Sequence, residues 1–487
     1  MPYSSFGYSI IYDSLCGWDS SQPFLNYLYL KYNGLGERIE MKKKTPVIFI
    51  SIFGTVFLSF VIFAFNNPGK AEPVDKVLFQ KDNLDFWVIT DTHYIDEELY
   101  DSGEAFQRIQ MTTAGKDLNY QKESLQALIT DAAARKPDGL IVTGDITLNG
   151  EYVSAQKFAE ILSSLKDSGI ETFVIPGNHD IYDGWARSFL GKEQEKIDQI
   201  SPTDFQELFA ESGYAQAAVR DDSSLSYLVQ INDEYDFMFL DTNIYTNDSS
   251  NRAPMTAGKI DSKTQKWMSE QLKISFDKGK KTLVFMHHNL FEHNAVVSKG
   301  YVLNNAEEIG KLLQEFKVSV VFSGHIHAQD ILTNEATGIT EIVTGSFAIT
   351  PNPVGIIELE KDKLTYSRKK TDVDQWAKKQ SLTDENILGH STYLKELFIK
   401  DSRRMGYSTL LENSFYEDEA LELVSRLNVR FFTGEDDISD KEAEEIRKSE
   451  AYKIIYEESS FLKEYLDSII QDTNENDLFF EKEFIKP

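Results

Sequence analysis

The chain has 487 residues, of which 41% are hydrophobic, 12% aromatic and 26% charged, with 50 basic against 79 acidic side chains and a formal net charge of −29. That length allows two or three domains with a sizeable core, and the composition excludes a wholly disordered, collagen-like or multi-span membrane chain. Its acidity makes long nucleic acid an unexpected partner, and the single cysteine, Cys16, excludes an internal disulfide, a thiolate zinc cluster and a CxxC redox motif.

Residues 1–40 are rich in Tyr, Ser, Asn and Gly and read as a weakly structured extension. Met41, followed by Lys42, Lys43 and Lys44, would make a translation start of its own. The run 47–65 (VIFISIFGTVFLSFVIFAF) carries no charge. Its length is near the ~20 residues that cross a bilayer as a helix. The preceding lysines place that end in the cytoplasm and the rest of the chain outside. Residues 41–70 are therefore expected to be a membrane anchor. The rival is a cleaved signal peptide, with Gly69 and Ala71 as its small residues. The expected location is the cell membrane, single-pass, with the main body extracytoplasmic, or else secretion.

A linker at 66–83 follows. From residue 84 to 366, short apolar runs alternate with helical patterns. The runs are 86–90 (FWVIT), 139–143 (GLIVT), 172–175 (TFVI), 237–240 (FMFL), 282–286 (TLVFM), 318–322 (VSVVF) and 341–344 (EIVT). Such β-branched and aromatic stretches read as buried strands, and residues 121–135 and 264–275 as helices between them. The fold class is α/β with layered sheets. Residues 183–222 read as a polar, helical insertion. Beyond 366 strand signals fade, and helical, acidic segments at 386–400, 414–427 and 441–466 suggest a separate α-helical domain over 367–487.

Polar residues cluster just past five of the apolar runs: Asp91-Thr92-His93, Gly144-Asp145, Gly177-Asn178-His179-Asp180, His287-His288 and Gly324-His325-Ile326-His327. In open α/β sheets, ligands bind beyond the carboxyl ends of strands. All eight histidines except His390 lie in or near these clusters. Asp, His and Asn without thiolates suit Mn²⁺, Fe or Zn²⁺. Asp91 and His93 are two apart, as are His325 and His327, so each pair shares one side of an extended segment. Seven donors (Asp91, His93, Asp145, Asn178, His287, His325 and His327) are too many for one tetrahedral ion. They fit two ions sharing a carboxylate, the arrangement used for in-line phosphoryl displacement.

The order DTH, GD, GNHD, HH, GHIH resembles the calcineurin-like metallophosphoesterase superfamily, with all five motifs in sequence across 84–366. The resemblance implies a four-layer α/β/β/α sandwich with a centre of two divalent metal ions between the sheets. It implies that Asp91, His93 and His327 hold the first metal, that Asn178, His287 and His325 hold the second, and that Asp145 bridges both. His179 resembles the outer-sphere histidine that contacts phosphate and protonates the leaving oxygen, with Asp180 orienting it. A hydroxide bridging the two ions would attack phosphorus in line.

His288 is open between substrate contact and packing. His293 is expected at the surface or rim, Asp241-Thr242-Asn243 as loop support, and His390 as unrelated to the site. The C-terminal aromatics read as a helix-packing core. Catalytic core plus helical domain is similar to bacterial class III cyclic-nucleotide phosphodiesterases. The expected substrate is a small phosphoester, 3′,5′-cyclic nucleotides first, with the loop 94–118 and the helical domain walling the pocket. The alternatives are a phosphomonoesterase or 5′-nucleotidase and, outside enzymes, an inactive cell-surface scaffold.

Overall fold

The computed structural model describes residues 77–182, 184–245, 253–410, 417–472 and 476–484. The run 47–65 and the residues proposed for signal cleavage lie outside these. Among the described residues no helix is long and apolar enough to cross a membrane.

Two sheets organise the chain. The first has six strands: β1 (Leu84–Ile89), β2 (Gly139–Thr143), β3 (Glu171–Ile175), β13 (Pro353–Glu360), β14 (Lys363–Lys370) and β15 (Phe479–Glu483). Their order is β15-β14-β13-β1-β2-β3. The second has seven: β6 (Val219–Arg220), β7 (Tyr227–Gln230), β8 (Tyr235–Leu240), β9 (Lys281–Met286), β10 (Val320–Ser323), β11 (Asp330–Asn334) and β12 (Ile339–Val343). Their order is β11-β12-β10-β9-β8-β7-β6. The central neighbours run parallel: β1, β2 and β3 in one sheet, and β8, β9, β10 and β12 in the other. Their carboxyl ends therefore lie together at one edge of each sheet.

Aromatic side chains join the two sheets. Phe86 of β1 meets Phe237 of β8 edge-on, with centroids 4.9 Å apart. Phe173 of β3 stacks on Phe239 at 5.5 Å. The Tyr227 hydroxyl donates to the Val174 carbonyl at 2.9 Å, satisfying a buried polar group across the interface. Helices Gln121–Arg135 and Tyr152–Lys166 bring Leu125, Leu128, Phe158 and Leu162 to this same core. Helices Ser262–Asp277 and Ala306–Glu315 pack Trp267, Met268, Leu272 and Leu313 on Met238, Met286 and Val321 of the second sheet.

Three expectations change. The insertion 183–222 is not wholly helical: β4 (Arg187–Leu190) and β5 (Glu193–Lys196) form a hairpin before a short helix, Pro202–Leu208. The stretch 441–466 is three helices, Asp440–Lys448, Glu450–Glu458 and Ser460–Ile470. Ser449 and Ser459 cap the second and third, each hydroxyl accepting a backbone N–H at 3.2 Å, which favours restarting a helix over continuing one. The boundary at 366 is crossed as well. β14 runs to Lys370, and β15 returns from the far end of the helical region to pair with it.

The helical region has its own apolar cluster, including Phe398, Val424, Leu427, Phe431, Ile455 and Leu466. The same cluster contains Ile326, Ala328 and Val343. Ile326 sits between His325 and His327, so the helices pack directly behind that turn.

Candidate metal centre

Every predicted donor follows one of the parallel strands. Asp91 and His93 follow β1, Asp145 follows β2, Asn178 follows β3, His287 follows β9, and His325 and His327 follow β10. All seven are buried, none more than 7% exposed. The loops are laced together. The Asp91 and His93 amides donate to the carbonyls of Gly144 and Asp145. The His325 amide donates to Asp91 Oδ2 at 3.0 Å, docking the second sheet's loop on the first.

Two clusters result. Ligand atoms of Asp91, His93, Asp145 and His327 lie within 4.8 Å of one another, as do those of Asp145, His287 and His325. Asp145 belongs to both. Its Oδ2 is 3.6 Å from His93 Nε2 and its Oδ1 is 3.3 Å from His287 Nε2. Asn178 Oδ1 lies 3.2 Å from the same His287 nitrogen.

The backbone needed for this is unusual. Asp91, His93, Asp145, His325 and His327 all have positive φ, between 42° and 69°. Left-handed backbone at non-glycine residues costs about 1–3 kcal/mol each and concentrates at functional sites. Close approach also demands glycine: a Cβ on Gly177 would sit 2.2 Å from Asp145 N and Oδ1, and one on Gly324 would sit 2.1 Å from Thr90 Oγ1.

The set fits divalent cations on its own chemistry. Nε2 of His93 and of His327 converge at 3.1 Å. Asp91 Oδ1 is 3.3 Å from His327 Nε2, yet it is buried and makes no hydrogen bond. Nδ1 of His287 bonds the Thr143 carbonyl at 2.9 Å, which turns its Nε2 to the cluster. His325 Nε2 bonds the carbonyls of Thr256 and Gly300 at 3.0 and 3.2 Å, leaving Nδ1 for the cluster. Such supporting bonds set the tautomer of a metal-binding imidazole.

Charge agrees. Burial opposes ionisation of Asp145, but the imidazoles of His287 and His179 outweigh it and hold the carboxyl well below its usual range. Burial pushes His325 down to about 3 and His93 well below its ordinary value, so both stay neutral with free lone pairs. Against burial, Asp145 holds His287 up at about 9. A cation held between that pair would take the place of the proton they share.

His179 lies beside the cluster, its ring centroid 5.0 Å from that of His93 and its amide on Asp145 Oδ1 at 2.8 Å. Asp180 has a different task from the one expected. Its carboxylate accepts the amides of Ile146, Thr147 and Gly177 and the Thr147 hydroxyl, at 2.8–3.1 Å. It therefore ties the loop after β3 to the loop after β2. Asn149 orients the imidazole, its Oδ1 lying 3.2 Å from His179 Nδ1. Only the spacing in Gly144-Asp145-Ile146-Thr147-Leu148-Asn149, which returns the chain to the site within one turn, could have signalled it.

Lys116 is a second residue missed. It is 3% exposed, and its charge acts on His93 and His179. It lies within the 94–118 loop already expected to wall the pocket. His288 is a packing residue: it is fully buried, with Nδ1 on Thr242 Oγ1 at 2.7 Å and Nε2 on the Thr256 carbonyl at 3.1 Å. His293 is not at the rim. Its buried side chain pairs with Asp330 and with Glu341, the latter at 3.0 Å. Burial opposes its charge, yet the two carboxylates hold it up at about 10. Asp241 supports its loop as expected, accepting the amides of Leu225 and Asn243. His390 contacts Asp117 at 3.1 Å, outside the clusters.

Fold and site together define a hydrolase of phosphate esters built on metal-binding loops. The chain belongs to the calcineurin-like phosphoesterase family, which matches residues 84–329. Residues 372–476 match the C-terminal domain of cyclic nucleotide phosphodiesterase. A probable cyclic nucleotide phosphodiesterase of Pseudoalteromonas sp. (strain SM9913) is 25% identical over 253 residues, covering 52% of this chain and 75% of that protein. One from Psychrobacter arcticus is 23% identical over 249 residues, 50% of this chain and 75% of its own. Among solved structures, a dimetal phosphatase from Danio rerio is similar at 14% identity and TM-score 0.44, covering 60% of this chain and 97% of that one.

Asp145→Asn should lower bound metal at both clusters, while Asp91→Asn should empty mainly one. Gly177→Ala should resemble Asp145→Asn, because its Cβ must displace that carboxylate. Metal content per chain is the measurement. Full metal and full turnover in Asp145→Asn would contradict the assignment.

Proposed function

We propose that this chain hydrolyses small phosphodiesters, with 3′,5′-cyclic nucleotides as the first substrate class. The observation that carries this reading is the joining, in one chain, of the buried Asp/His clusters to a helical region that matches the C-terminal domain of cyclic nucleotide phosphodiesterase. The names of the relatives from Pseudoalteromonas and Psychrobacter support it. A water-sized cavity beside His327, bounded by Ala114, Phe398, Asp401, Met405 and Asn428, marks where helix His390–Thr409 and the 94–118 loop adjoin the cluster. Helices and the 94–118 loop thus meet at the cluster, and a wall there suits a small ester better than a polymer. Helices packed against both sheets support the four-layer order that the family resemblance implies.

Asp91, His93 and His327 would hold one cation, Asn178, His287 and His325 the other, and Asp145 both. Mn²⁺ or Fe fits these nitrogen and oxygen donors first, Zn²⁺ next. Two such cations, when bound, supply charge for the phosphoryl oxygens and acidify a water. The protein's own groups then orient the ester. Lys116 places a positive charge next to the pocket, favouring an anionic substrate. Burial, reinforced by Lys116 and opposed by Asp145, pushes His179 down to about 4, so the free imidazole is neutral. With Nδ1–H on Asn149, Nε2 is the nitrogen that would meet the ester. The anionic phosphate favours a proton there. As the water oxygen bonds to phosphorus and one ring P–O bond breaks, His179 gives that proton to the departing alkoxide, and the proton the water loses passes to solvent, from which the imidazole can be recharged.

A screen of the Mn²⁺-loaded protein against cyclic nucleotides, nucleoside monophosphates and glycerophosphodiesters tests the substrate class. Cyclic nucleotides should give the highest kcat/KM. Preference for monoesters would favour the 5′-nucleotidase reading instead. His179→Ala should keep its metals and lose about 10²–10⁴-fold on cyclic or alkyl esters, with far smaller losses on nitrophenyl esters, whose leaving group needs no proton. Equal losses would mean that His179 acts on the phosphoryl group alone.

A further inference from the structure

Away from the Asp/His clusters, four aspartates gather where the helical region meets the second sheet. Asp330 opens β11, three residues past His327. Asp436 follows helix Glu417–Thr433, Asp472 follows helix Ser460–Ile470, and Asp477 precedes β15. Carboxylate oxygens of Asp330, Asp472 and Asp477 all lie within 4.8 Å of one another. Asp436 is the independent sign. It is 2% exposed, and its Oδ1 is buried with no hydrogen-bond partner. Asp472 and Asp330 are near enough for their charges to act on it, and its own charge acts on Asp477, so it adjoins the other three.

At Asp436 and Asp477 the described surroundings compensate little of this charge. Asp330 pairs with His293, which is shared with Glu341. Asp477 Oδ1 accepts the Ile331 amide at 2.8 Å, and its carbonyl accepts Gln329 Nε2 at 2.8 Å. The nearby Arg430 is spent on the carbonyls of Glu435 and Asp437 and on Glu442, at 2.6–3.0 Å. Neither Asp436 nor Asp477 has a lysine or arginine ion-pair partner among the described residues. Burial and the neighbouring carboxylates push these two up, to about 9 and about 10. Like charges so placed need either protons or a cation. Asp436 Oδ1 makes no hydrogen bond that would mark a shared proton on that oxygen.

We infer that Asp330, Asp436, Asp472 and Asp477 form a further cation site that takes Ca²⁺, separate from the phosphoesterase centre. The donors are carboxylate oxygens alone, which suit a hard cation. They come from four separate segments, a looser frame than the rigid octahedron Mg²⁺ demands. The ion joins the ends of two C-terminal helices and the approach to the last strand to the start of β11. That stretch continues directly from the turn carrying His325 and His327. The site is a staple between the helical region and the catalytic core, and its ligands perform no chemistry on substrate.

The test uses the full chain, stripped with chelator, saturated with Mn²⁺ and then dialysed against Ca²⁺. Bound calcium and melting temperature are read together. The wild-type protein should retain calcium in addition to its manganese and melt roughly 3–6 °C higher at saturating Ca²⁺. Asp436→Asn/Asp477→Asn should lose both the calcium and the shift while keeping its manganese. A wild-type chain that retains no calcium, or a folded double variant that retains it equally, overturns the inference. Should the double variant fail to fold, calcium retained by wild type and lost from Asp436→Asn alone decides in favour, and calcium kept by that single variant decides against.

Discussion

The structure depends on one constraint: Asp145 must present its two carboxylate oxygens to two different groups of imidazoles while buried. His93 lies on one side of it and His287 on the other. Its charge survives burial chiefly because of the His287 imidazole beside it. Much of the neighbouring backbone serves this placement. Asp145 itself and four other donors sit in left-handed backbone, and the amide of His179 completes the hold. Each such residue costs about 1–3 kcal/mol, comparable to what burying one large apolar side chain contributes. The aromatic interface between the sheets makes that strain tolerable. It fixes β1, β2 and β3 against β8, β9 and β10, so the loops at their ends have few other conformations to adopt.

The helical region is tied to the same frame at several points. Ile326 inserts into its apolar cluster from between two histidine donors. Gln329 reaches the Asp477 carbonyl, and the Gln329 amide bonds the Phe432 carbonyl. β15 then adds the chain's last strand to the first sheet. A change in how these helices pack is therefore felt at His325 and His327 through a few residues.

Much of the centre was legible because its chemistry is local. Each donor lies within a few residues of a strand end, and short apolar runs mark strand ends well. The structure brings these donors together, six in the two clusters and Asn178 beside His287. What was hidden depends on tertiary partners. Asp180 adjoins His179 in sequence, yet its carboxylate turns to the loop after β2, and Asn149, thirty residues earlier, takes the imidazole. His293 looked like a rim residue because its partners, Asp330 and Glu341, are far along the chain. β15 falls within the acidic, helical pattern of the sequence because the consecutive charges Glu481, Lys482 and Glu483 mask an edge strand. The breaks at Ser449 and Ser459 were lost inside one continuous amphipathic pattern.

Anomalous diffraction from Mn²⁺-loaded crystals of the protein addresses the central claim most directly. Two peaks should appear, one among Asp91, His93 and His327 and the other among Asn178, His287 and His325, with Asp145 touching both. A single peak, or two peaks that do not share Asp145, would contradict the account.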